Sequence, residues 1–143
     1  MKRTCVLISW LIILAGLTAA GDNPSAGEQP ETIWPPYLLA QSALAGDNFR
    51  EARGDVRLLA QRADGELREL ASEAAATMTI GDLRQAFKPL SEKMAGLNRP
   101  EGIQLVFCPM ADDNQGAFWL QRGDKVMNPY FGAGMLHCGV IKE

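Results

Sequence analysis

The chain has 143 residues, 47% of them apolar and 22% charged, with a net charge of −3 and a single histidine. That length suits one domain around one core. The acidic surplus, scattered among Lys and Arg, leaves no electrostatic footprint for nucleic acid or anionic lipid.

Lys2 and Arg3 precede an apolar run from Cys5 to Ala20 without an acidic residue, and Thr18-Ala19-Ala20 offers small residues for cleavage before Gly21-Asp22-Asn23-Pro24. This is the layout of a secretory signal peptide over residues 1–20. The run falls short of the roughly 20 apolar residues of a spanning helix, so cleavage is expected over a retained anchor, with no membrane insertion afterwards. No cysteine stands directly after the run, so no lipid attachment is indicated. The expected product is periplasmic or secreted. Losing two positive charges takes it to 12 basic against 17 acidic residues, a net charge of −5. Residues 21–33, rich in Gly, Asn, Pro, Ser and Glu, read as a disordered linker. A single domain over 34–143 is expected to follow.

Its first part is helical by pattern. Pro35-Pro36 suits a helix opening, and Tyr37, Leu38, Gln41 and Leu44 follow at helical spacing until Gly46. Asn48 with Glu51 has capping-box spacing, and Ala52, Val56, Leu59 and Ala63 form one apolar stripe. Asp64-Gly65 then marks either a turn or an interruption within one long helix. Leu67, Leu70, Ala71, Ala74 and Met78 resume the stripe. Thr79 with Asp82 caps a further segment, in which Ile80, Leu83, Phe87, Leu90, Met94 and Leu97 alternate steps of three and four. Pro89 inside that seam predicts a kink or a split. The fold class expected is mainly α, an antiparallel bundle of three to four helices.

The period then changes. Ile103, Leu105 and Phe107 alternate as in a strand, Ala117–Leu120 is a second candidate and Val126-Met127 a third, with turn residues at 112–116 and 122–125. A small C-terminal β-hairpin is expected, with Phe107, Phe118 and Trp119 packing on the bundle and Asn128–Gly132 as a tight corner.

The chemistry-bearing side chains lie in this last part. Cys108 and Met110 share a face of an extended stretch, and Met135 and Cys138 are one helical turn apart. His137, adjoining Cys138, points elsewhere and is the weakest candidate. Thiolate and thioether are soft donors suited to Cu(I) and related ions, whereas zinc rarely takes Met. The candidate metal ligands are therefore Cys108, Met110, Met135, Cys138 and His137, with Cu(I) or Ag(I) as the ion. Affinity is expected to rise with pH until thiols ionise near pH ~8.5. The competing reading is a disulfide, the default for two cysteines in an exported chain. Closing this 30-residue interval adds roughly 3–4 kcal/mol in the chain-entropy model.

Other motifs fail. Asp112-x-Asn114-x-Gly116 lacks the remaining calcium ligands, Gly132-Ala133-Gly134 lacks a dinucleotide helix, and one histidine without a paired base gives no nucleophilic triad. The chain does not read as an enzyme.

Tyr37…Ala43-Leu44…Asp47, Phe87…Leu90-Ser91, Cys108-Pro109-Met110-Ala111…Trp119-Leu120…Asn128-Pro129-Tyr130-Phe131-Gly132…Met135-Leu136-x-Cys138-Gly139 together resemble a bacterial periplasmic domain family of unknown function. That domain also occurs fused at the C-terminus of membrane-fusion adaptors of copper/silver efflux pumps. The resemblance implies soft-metal binding at Cys108, Met110, Met135 and Cys138. It also implies a heavy-metal efflux adaptor or other envelope protein as partner. Unlike the fused form, this chain is expected to carry its own signal peptide and no adaptor domains. The alternative function is a disulfide-stapled interaction module of the envelope that holds no metal.

Overall fold

The computed structural model describes residues 29–142, so the stretch expected to be a signal peptide and most of the expected linker lie outside the described residues. Four helices come first: α1 (Trp34–Ala45), α2 (Phe49–Arg62), α3 (Gly65–Ala76) and α4 (Ile80–Ala95). A three-stranded antiparallel sheet follows, from β1 (Ile103–Cys108), β2 (Ala117–Arg122) and β3 (Val140–Lys142), in the order β2-β1-β3. Among the described residues no helix is long and apolar enough to cross a membrane. The packed part reaches back into the stretch read as linker. Glu31–Ile33 form a single 3-10 turn, Ile33 is fully buried, and the Gln29 side chain exchanges two hydrogen bonds with the Asp64 backbone.

The helix boundaries follow their caps. Asn48 accepts from Glu51 N, satisfying one of the free N–H groups that open α2. Thr79 accepts from Asp82 N and donates to the Asp82 carboxylate at the start of α4. Asp64-Gly65 is a true break, with Gly65 at φ +55 as the first residue of α3. Pro89 does not split α4, which runs unbroken from Ile80 to Ala95. The expected apolar stripes bury Ala52, Val56, Leu59, Leu67, Leu83, Phe87, Leu90 and Met94 completely. Each large apolar side chain among them contributes about 1.5–3 kcal/mol by leaving water. Met78 departs from its stripe: α3 ends at Ala76, and Met78 stands 73% exposed.

The sheet differs from a plain hairpin. Val126-Met127 forms no strand; the third strand is β3, which pairs Phe107 with Val140 and Leu105 with Lys142 on the free edge of β1. β2 lies against α1 and α4, and Leu120 enters the helical core. Tyr37 Oη, within that core, pairs with Ser91 Oγ at 2.8 Å and accepts from Leu120 N at 3.1 Å, tying α1, α4 and β2 together. Val106, Cys108, Ala117 and Trp119 form a second buried cluster, covered by Val126, Tyr130, Phe131 and Cys138. Phe107 and Phe118 do not join either core. They are half-buried and pack on each other, with ring centres 4.6 Å apart.

Candidate functional site

Cys108 ends β1, the central strand, in register with Ala117 of β2, and its side chain is fully buried in the second cluster. The three residues before it, Leu105 to Phe107, are paired on both edges, and Cys108 itself is paired with β2. Cys138 arrives from the opposite direction, out of the long segment that follows β2. A single turn precedes it, with Cys138 N donating to Met135 O at 3.0 Å. Gly139 then stands at φ +146, where a β-carbon would lie 2.8 Å from the Trp119 ring. The chain thus passes flat over Trp119 to enter β3.

The two sulfurs meet. Cys108 Sγ and Cys138 Sγ are 2.8 Å apart across 30 residues of sequence, and both are free thiols. Cys138 is the partly exposed member, so the pair has a floor inside the protein and one side open to solvent. The hydrogen bond with Cys108 pushes the Cys138 thiol up, aided by burial and by the charge of an ionised Cys108, from 9.0 to about 11.

The other expected ligands are placed less closely. Met110 sits just beyond Cys108, 47% exposed, at the start of a turn in which Asp112, Asp113 and Asn114 all take left-handed backbone angles. Asp and Asn tolerate that region better than other side chains, and the Lys88–Asp112 ion pair fastens the turn to α4. Met135 is half-buried and contributes its carbonyl to the turn before Cys138. His137 is exposed, and its Nδ1–H donates to Val126 O at 2.7 Å, leaving Nε2 as the ring's free acceptor. Among the described residues, no three His, Cys, Asp or Glu side chains converge in a metal-binding group.

Several residues that position the site carry no chemical signature in the sequence. Arg84 of α4 donates through Nε to Pro129 O at 2.8 Å and through Nη2 to Leu44 O at 2.8 Å and Asp47 Oδ1 at 2.6 Å. Asp47 Oδ2 accepts in turn from Ala133 N at 2.9 Å. This clamp docks the segment carrying Cys138 onto the α1–α2 corner. Its partners are up to 86 residues apart, so no local pattern exposes it.

No family model, no curated protein and no solved structure matches this chain. The site is therefore interpreted from its own chemistry.

Proposed function

We propose that this is an exported metal-binding protein of the cell envelope that takes Cu(I) or Ag(I) at Cys108 and Cys138. It would serve metal resistance or handoff to an efflux system. The observation that carries the reading is the meeting of Cys108 and Cys138 at a place with one side open, where the sulfurs would spread from 2.8 Å to admit an ion. Two adjacent thiolates suit a soft monovalent ion, and binding it displaces their protons. Met110 and Met135, close in sequence to the two cysteines, are the thioether candidates that would tune softness. The resemblance to a domain fused to copper/silver efflux adaptors supports the same reading. It is a binding role, with no reaction assigned.

The same 2.8 Å separation also favours the second reading, a disulfide-stapled interaction module, because a covalent S–S bond of about 2.05 Å lies less than an ångström away. A Cu(I) competition titration on reduced protein separates the two. One Cu(I) per chain is expected, with tight binding abolished by Cys108→Ser or Cys138→Ser. Met110→Leu and Met135→Leu should weaken it without disturbing the fold, and His137→Ala should matter least. Methionine variants that bind as wild type does reduce both methionines to packing. If wild type fails to bind, and protein isolated from its native compartment shows no free thiol, the stapled module is the function.

A further inference from the structure

The segment from Gly123 to Gly139 contains no strand and only a single 3-10 turn at Gly132–Gly134, yet it holds one sulfur of the site beside a rigid strand. Its backbone polar groups need partners from outside regular structure. One fully buried side chain, Asn128, supplies them on three sides. Its Nδ2 donates to Cys138 O at 2.7 Å, and its Oδ1 accepts from Tyr130 N at 2.8 Å and Phe131 N at 3.3 Å. Its own backbone N donates to Leu136 O at 2.7 Å, and its carbonyl accepts from Gly132 N at 3.2 Å. Gln121 holds the start of the segment, at Gly123, Lys125 and Met127; from residue 128 to Cys138 the loop closes on the Asn128 amide.

We propose that Asn128 is the positioning residue of the sulfur pair, holding Cys138 against Cys108 before any bond to sulfur forms. The proposal rests on the assignment of Cys108 and Cys138 as the site, and holds whether the pair takes metal or closes a disulfide. Among the described residues, Asn128 is the side chain hydrogen-bonded to the Cys138 backbone. The Arg84–Asp47 clamp acts elsewhere, at Pro129 and Ala133. Cys108 is held differently, as the fully buried end of β1 in register with Ala117 of β2. Preorganisation of this kind raises the effective concentration of one thiol at the other without touching either sulfur.

The test equilibrates the protein dithiol with glutathione disulfide. The protein S–S bond forms as the glutathione S–S bond breaks, and two electrons and two protons pass to two glutathione thiols. Asn128→Asp keeps the side chain's size and its Oδ1 acceptor. It loses the N–H donor and sets a carboxylate oxygen against Cys138 O. The equilibrium constant for closing the pair should fall about tenfold, a rise of about 30 mV in reduction potential for this two-electron couple. Leu83→Ala, a core change in α4 that removes no hydrogen bond to the loop, should lower the melting temperature yet leave that constant unaltered. A constant within twofold of wild type in folded Asn128→Asp, or an equal shift in Leu83→Ala, overturns the proposal. Hydrogen exchange on Cys138→Ser covers the case in which Asn128→Asp does not fold. If Asn128 holds the loop, the Tyr130 and Phe131 amides stay protected without the sulfur pair. If their protection collapses, the sulfurs organise the loop and Asn128 does not. Neither measurement involves metal, so its result stands apart from the Cu(I) titration.

Discussion

Gly132 and Asp47 leave no room between them for a methyl group. A β-carbon on Gly132 would fall 2.1 Å from Asp47 Oδ1 and 2.4 Å from Arg84 Nη2, and Gly132 itself stands at φ +57. Glycine at this position lets the carboxylate reach Ala133 N and lets the guanidinium reach Pro129 O. Gly132→Ala should therefore destabilise the protein by at least the ~1–2 kcal/mol of a left-handed non-glycine residue, with the steric conflict added. Denaturant unfolding reads this directly, and an unchanged midpoint means the clamp does not exist as described.

The clamp also predicts an acid limb. The hydrogen bond from Arg84, followed by that from Ala133 N, holds the Asp47 carboxyl below its ordinary 3.8. A carboxyl depressed in the folded state adds stability above its unfolded pKa and loses it as pH falls through the folded value. Between pH 7 and 5 wild type should thus hold a constant margin over Asp47→Asn, and the two should converge below about pH 4. Parallel urea midpoints down to pH 3 contradict the assignment.

For the sulfur pair the sign reverses. Cys138 is raised to about 11 by its hydrogen bond with Cys108 and by burial, so the reduced protein keeps the benefit of a neutral thiol below pH 9. That benefit disappears as pH climbs through 11. Metal binding gains over the same interval, because the ion must displace the proton of a raised Cys138 thiol. Cu(I) affinity should accordingly continue rising past the pH ~8.5 of an ordinary thiol. A plateau at pH 8.5 in a competition titration argues that Cys138 is not a ligand.

Phe87 is buried completely between Tyr37, stacked at 5.3 Å, and Tyr130, tilted at 6.4 Å. Phe87→Ala should cost about 3–5 kcal/mol through lost transfer energy and the cavity left behind. A melting temperature within a degree of wild type contradicts the packing. Because Tyr130 belongs to both hydrophobic clusters, the same variant should also loosen the loop that carries Cys138.

The helices were legible because their cause is local. A period of three to four and caps at Asn48 and Thr79 lie within a few residues of what they control. Met78 escaped the pattern because the chain turns out of α3 at Thr77, whose hydroxyl donates to Ala74 O. β3 was not legible. Val140–Lys142 is short and exposed, and only its pairing with Phe107 and Leu105 makes it a strand. Cys108 and Cys138 were recognisable by their element. Asn128, Asp47 and Arg84 were not, because their roles consist of hydrogen bonds to distant backbone atoms, and a sequence pattern records only neighbours.

Trp119, fully buried in the cluster that holds Cys108 and Cys138, gives the site an optical signal of its own. Trp34 lies in the other cluster, within the helical core. Thiol, disulfide and bound soft metal quench indole emission to different degrees at close range, so Trp119 fluorescence should follow the state of the sulfurs. Trp34→Phe would leave Trp119 as the one indole among the described residues, reporting the pair's state in real time without an attached dye.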